Sequence, residues 1–111
     1  MKRFTLIFLI TLFACDRDPT EQDLATICSA FEHLEQEPGL KSMPAAARLS
    51  YVQDAVSGRL ATPGNVHEIW VSFPNFSSGS KYSIFKSTAE SLVEGPWRCD
   101  PMERLASSMG P

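Results

Sequence analysis

Three thiols, two imidazoles and a few hydroxyl groups are the reactive inventory of this 111-residue chain. Ser29 stands four residues before His33, a spacing that places a nucleophile and a base on one helical face. A working pair also needs a carboxylate to orient the imidazole, and serine and histidine at this spacing arise freely, so no triad is expected. His67-Glu68 opens like the zinc-protease pattern but lacks its second histidine. Glu32, Glu35 and Glu37, and Asp16 with Asp18, gather carboxylates without the twelve-residue loop and central glycine that a calcium site uses. The residues therefore point to no catalytic group, no metal and no cofactor. Cys15, Cys28 and Cys99 remain, and none lies in a Cys-x-x-Cys pair, which argues against dithiol redox catalysis. With both histidines isolated, the ligand spacing of a zinc site is missing too.

What the thiols do depends on where the chain resides. Lys2 and Arg3 precede a nearly unbroken apolar run, Phe4 to Phe13, closed by the small Ala14. Ten residues fall short of the roughly 20 that a spanning helix requires, and they suit the central region of an export signal. The expected organisation is a signal peptide over 1–14, a tether over 15–19 carrying Asp16, Arg17, Asp18 and Pro19, and one domain over 20–111.

Leu12-Phe13-Ala14-Cys15 resembles the lipobox of bacterial lipoproteins. The resemblance covers the leader and implies diacylglycerol on the Cys15 sulfur, cleavage before that residue and acylation of the new amino group. Each buried methylene adds about 0.8 kcal/mol, so two or three acyl chains would anchor a small domain at a membrane. Asp16, directly after the lipid-bearing position, resembles the signal that retains enterobacterial lipoproteins in the inner membrane. With Cys15 lipidated, an even number of thiols is left in an oxidising compartment, which implies a Cys28–Cys99 disulfide. Closing a loop of about 70 residues would contribute roughly 4 kcal/mol in the chain-entropy account. Trp97-Arg98-Cys99 is also similar to the ending of small proteobacterial envelope lipoproteins with an earlier second cysteine, a likeness that brings no activity with it.

The elements that position these residues read as four to five short helices, an all-α bundle. Thr20 is a candidate N-cap with Glu21 and Asp23 in the first turn, and Leu24, Ile27, Cys28, Phe31 and Leu34 follow at helical spacing until Pro38-Gly39. Ser42 to Pro44 starts a second helix with a stripe of Ala45, Leu49, Val52, Ala55, Val56 and Leu60, leaving Arg48 and Asp54 off it. After the turn Thr62-Pro63-Gly64, Asn65 and Glu68 make a capping-box pattern ahead of Val66, Ile69, Trp70 and Phe73. Ile69 to Phe73 is also rich in strand formers, which keeps a hairpin over 69–85 as the alternative. Ser80 is the expected cap of a fourth helix carrying Tyr82, Phe85, Ala89, Leu92 and Val93 to Gly95. Asp100-Pro101-Met102-Glu103 combines cap, first-turn proline and capping glutamate for a fifth.

Removing residues 1–14 takes away Lys2 and Arg3 and moves the formal charge from −3 to −5. A net-negative chain without a basic cluster lacks the field that neutralises phosphates, so nucleic acid is not expected as a partner. The expected partners are a membrane, through lipid on Cys15, and an envelope protein. Trp70, Phe73, Phe76, Tyr82, Phe85 and Trp97 crowd the second half of the chain. Phe76, in the Ser/Gly loop after Pro74, is the residue expected to be exposed as an anchor for a partner. The first functional expectation is thus a membrane-anchored, periplasm-facing lipoprotein without enzymatic activity that works through protein contacts at Trp70, Phe73, Phe76 and Tyr82. The alternative is a small-ligand binder whose apolar pocket is lined by Trp70, Phe73, Tyr82 and Phe85.

Overall fold

A computed structural model describes residues 19–110, so the leader and Cys15 lie outside the described residues. The described chain forms α1 (Pro19–Glu35), α2 (Ala45–Val56), α3 (Asn65–Ser72), α4 (Lys81–Val93) and α5 (Asp100–Leu105), with one 3-10 turn after α1, two between α3 and α4 and one after α5. It is an all-α bundle stapled by one disulfide between Cys28 and Cys99. Periodicity explains the core. Leu24, Ile27, Phe31 and Leu34 line one face of α1 and are fully buried, against Val52 and Val56 of α2 and Val66 and Trp70 of α3. Phe85 and Ala89 of α4 and Met102 and Leu105 of α5 complete the core.

Residues 69–72 are helical and Phe73–Asn75 is a 3-10 turn, so the hairpin alternative does not form. Val66, Trp70 and Phe73 fall at helical intervals and share one buried face, and that burial overrides the strand propensity of the segment. α2 returns antiparallel to α1: Tyr51 Oη donates to Glu37 beyond the C-terminal end of α1, while Asp23 near its start accepts the Ala61 N–H at 3.1 Å.

Several helix starts differ from expectation. α1 begins at Pro19, one residue before Thr20 and inside the span read as tether, so Thr20 is not its N-cap. Asp23, read as a first-turn acidic residue, shares the buried face with Ile27 and Ala30 and closes the Leu60–Gly64 loop. Gly64, not Asn65, caps α3, and the Asn65–Glu68 capping box is not made; the Glu68 N–H donates to the Gly64 carbonyl. Ser80 holds the N-cap position of α4 as expected but makes no side-chain cap bond, because the 3-10 turn Ser78–Ser80 runs straight into the helix. Cys99 takes the cap position of α5, where Asp100 was expected, and Asp100 accepts instead from Arg98. Leu60 is buried although α2 ends four residues earlier. Arg48, off the apolar stripe of α2, donates to the carbonyls of Leu40 at 2.7 Å and Met43 at 3.2 Å and to Ser108 Oγ at 2.9 Å, tying the turn after α1 to the C-terminal segment.

Gly64 is needed for space. A Cβ there would stand 2.5 Å from the Ala61 carbonyl oxygen, a backbone atom that the Asp23 contact holds in place. Gly64→Ala is expected to cost about 1–3 kcal/mol of stability, the range for forced overpacking, measured by urea unfolding. An unchanged midpoint would show that the turn relaxes freely.

Arg104 of α5 pairs with Glu35 at the end of α1, Nη2 to Oε1 at 2.7 Å, and the bonded guanidinium holds the Glu35 carboxyl below its ordinary value of 4.5. A carboxylate lowered in the folded state stabilises it above the ordinary value, and that contribution is lost as pH falls through the lowered folded pKa. Arg104→Gln is expected to move the Glu35 midpoint up toward 4.5 in a carboxyl NMR titration. A midpoint identical in both proteins would remove the pair from the acid limb of stability.

Candidate functional site

Helical periodicity puts Cys28 on the flank of the buried stripe of α1, half exposed, and the chain reversal after α4 brings Cys99, itself buried, to meet it. Their Cα atoms are 5.7 Å apart, the ordinary separation for a bridged pair, at a sequence separation of 71. The Cys99 N–H donates to Tyr82 Oη at 3.2 Å, so the staple and α4 hold the same stretch of backbone.

The four aromatic residues expected to make contacts divide into two groups. Phe73 has no exposed surface and Trp70 very little; the two stack at 5.2 Å, and Phe31 and Phe85 pack edge-on against both. Rings fill the space where a ligand pocket between α3 and α4 was expected, because offset and edge-to-face packing of four aromatic rings leaves no room for a guest. Phe76 is half-buried with its ring 6.4 Å from Phe73, which corrects the expectation that it projects from the loop. Among the described residues, the exposed large apolar side chains are Val71 and Ile84.

Lys81 accounts for the loop's fold. It is fully buried at the start of α4, where its ammonium donates to the carbonyls of Pro74 (3.1 Å) and Phe76 and lies 5.7 Å from the centre of the Phe73 ring. Burial pushes the Lys81 pKa down, since desolvation penalises the charged form. The Ser/Gly loop is thereby drawn in over the aromatic cluster, taking Phe76 with it.

Tyr82 faces the other way. It lines a groove of about 500 Å³ between α4 and the Pro96–Glu103 segment, opposite Trp97. The groove's charges are matched among themselves. Glu90 Oε2 accepts from Lys86 Nζ at 2.8 Å and from the Trp97 N–H at 3.1 Å, and these bonds hold its carboxyl below the usual range. Arg98 donates twice to Asp100 Oδ1, at 2.9 and 3.1 Å, and faces Glu103 at 3.9 Å; the Asp100 carboxylate raises its pKa. Such a groove offers aromatic area beside paired charges of both signs.

Ser29 and His33 stay on α1, and His67 lies on α3 and lines a second, smaller cavity of about 330 Å³ together with Val56, Leu60 and Trp70. Among the described residues, no three His, Cys, Asp or Glu side chains cluster closely enough to hold a metal ion. No described helix is long and apolar enough to cross a membrane. Asp23, Arg48 and Lys81 escaped the reading of the sequence because their partners are backbone carbonyls, an amide and a distant serine, none of which has a sequence signature. The Lys86–Glu90 pair was accessible from its four-residue spacing.

Comparison with protein families, with curated proteins and with solved structures finds no match to this chain.

Proposed function

We propose that this protein is an exported lipoprotein, anchored to a membrane through lipid on Cys15, whose disulfide-stapled domain acts through protein contacts and not through catalysis. The observation that carries the reading is the pairing of Cys28 with Cys99. It fits an oxidising compartment, and it leaves Cys15 as the third of three cysteines, at the position where the leader resembles a lipobox. Protein contact is supported by the Tyr82–Trp97 groove, where aromatic walls reach solvent beside ion pairs that need no ligand to neutralise them.

Intact-mass measurement of membrane-extracted protein, with and without reduction, tests the anchor. The expected result is acyl mass on Cys15 and a gain of two hydrogens on reduction. Cys15→Ser should release the protein from the membrane fraction. Recovery of the unsubstituted chain as a soluble, unmodified species would overturn the proposal. A photocrosslinker at Tyr82 should give a discrete heterologous adduct in cells, while one at the exposed Gln22 gives none.

A further inference from the structure

The proposed lipid site and the first helical turn are separated by very little chain. From Cys15 to Pro19 is four residues, which span at most about 14 Å when fully extended. α1 then runs for 17 residues, about 25 Å, without interruption. Whatever lies beside its first turn is therefore held near the lipid, and the structure shows what that is. Asp23 accepts the Ala61 N–H at 3.1 Å, which fixes the loop after α2 against the start of α1. Ser57, Gly58, Arg59, Ala61, Thr62 and Pro63 of that loop are all exposed.

We propose that the end of the domain formed by the first turns of α1 and the Ser57–Pro63 loop is the face apposed to the phospholipid bilayer. The inference rests on the reading that Cys15 carries lipid. The loop's chemistry suits a headgroup surface: residues 57–63 contain no carboxylate, in a chain with an excess of them, and Arg59 can meet a lipid phosphate. The exposed side of α1 carries Glu32, with Glu37 just past its end, in addition to Glu21, so a domain lying flat on that side would press three carboxylates against phosphates, whereas the end-on face brings only Glu21 of the first turn together with Arg59. Lys41, in the turn beyond the far end of α1, would suit a headgroup equally well by charge; the short tether is what decides for the near end. Cys28 stands nine residues past Pro19, about 14 Å along the helix axis. The Tyr82–Trp97 groove, joined to α1 through the Cys99 staple, is consequently lifted off the lipid but kept within reach of proteins in the same membrane.

The test uses the full chain isolated with its lipid and placed in nanodiscs of phosphatidylethanolamine and phosphatidylglycerol that contain a gadolinium-chelate lipid. Amide signals of Gln22, Asp23 and residues 57–62 should lose more than half their NMR intensity, while those of Glu32 to Glu37 and of Lys41 persist. Stronger loss at Lys41 than at Arg59, or uniform loss throughout, overturns the assigned face. Absence of acyl mass on Cys15 overturns the lipid reading itself. Such a chain, with Cys28 and Cys99 paired, can be joined through its Cys15 thiol to a maleimide lipid, and the order of signal loss then supports or overturns the face separately.

Discussion

Cys28→Ser together with Cys99→Ser is expected to lower the free energy of unfolding by about 4 kcal/mol, the loop-closure entropy returned to an unfolded chain whose linked residues are 71 apart. Small domains have about 5–15 kcal/mol in total, so the variant should be partly unfolded at moderate temperature. The effect is large because the bridge replaces burial that short helices cannot supply: α5 has six residues, and α3 has eight. The folded state loses something as well. Cys99 supplies the cap position of α5 and a hydrogen bond from its backbone N–H to Tyr82 Oη, and without the link both depend on a short connection staying in place. Urea unfolding of the oxidised, reduced and double-serine proteins checks this. Coincident curves for all three would sink the idea that the staple supports the fold, and an altered slope in the unlinked forms would show that the bridge compacts the unfolded chain.

Phe73→Ala is expected to cost about 3–5 kcal/mol, as large aromatic truncations in closed cores do. Phe73 is the centre of the ring cluster, within 6.4 Å of Phe31, Trp70, Phe76 and Phe85 by ring centroids, and the Lys81 ammonium stands over it. Removing it opens a cavity between α1, α3 and α4 and leaves Lys81 without an aromatic face, so the loss exceeds the transfer of one side chain. Thermal unfolding by near-ultraviolet circular dichroism, with the Trp70 signal as the local probe, reads it. Phe76→Ala, at a half-buried position on the edge of the same cluster, should cost distinctly less. Equal losses at the two positions would mean that the cluster has no centre. Folded, stable Phe73→Ala protein that admits small aromatic molecules would revive the ligand pocket that the rings now fill.

Much of the fold was legible because it rests on local spacing. Leu24, Ile27, Phe31 and Leu34 recur at helical intervals, and Pro38-Gly39, Pro74 and Gly95-Pro96 interrupt the helices near where they end. The ends themselves were less accessible. Asn65, Ser80 and Asp100 are good capping residues by type, yet Gly64, a preceding 3-10 turn and Cys99 determine how those helices begin. A capping side chain competes with the path of the incoming chain, and in these connections the path is imposed by packing. The candidate site divides in the same way. Tyr82 stood out in the sequence as a candidate, but Trp97, which lines the same groove, is fifteen residues away across a chain reversal. Phe76 looked exposed in a Ser/Gly loop, and only the buried Lys81 explains why it is not.

The amino-acid order by itself pointed to the helical class and to four or five short elements, through periodicity and breakers, and, by way of the leader's resemblance to a lipobox, to the pairing of Cys28 with Cys99. Tertiary structure alone decided which aromatic rings are sealed and which face the groove, and where Asp23, Arg48 and Lys81 find their partners. The reason is one of range. Helical periodicity is set by neighbours three and four residues apart, whereas the burial of a ring or an ammonium depends on surfaces brought together from distant parts of the chain.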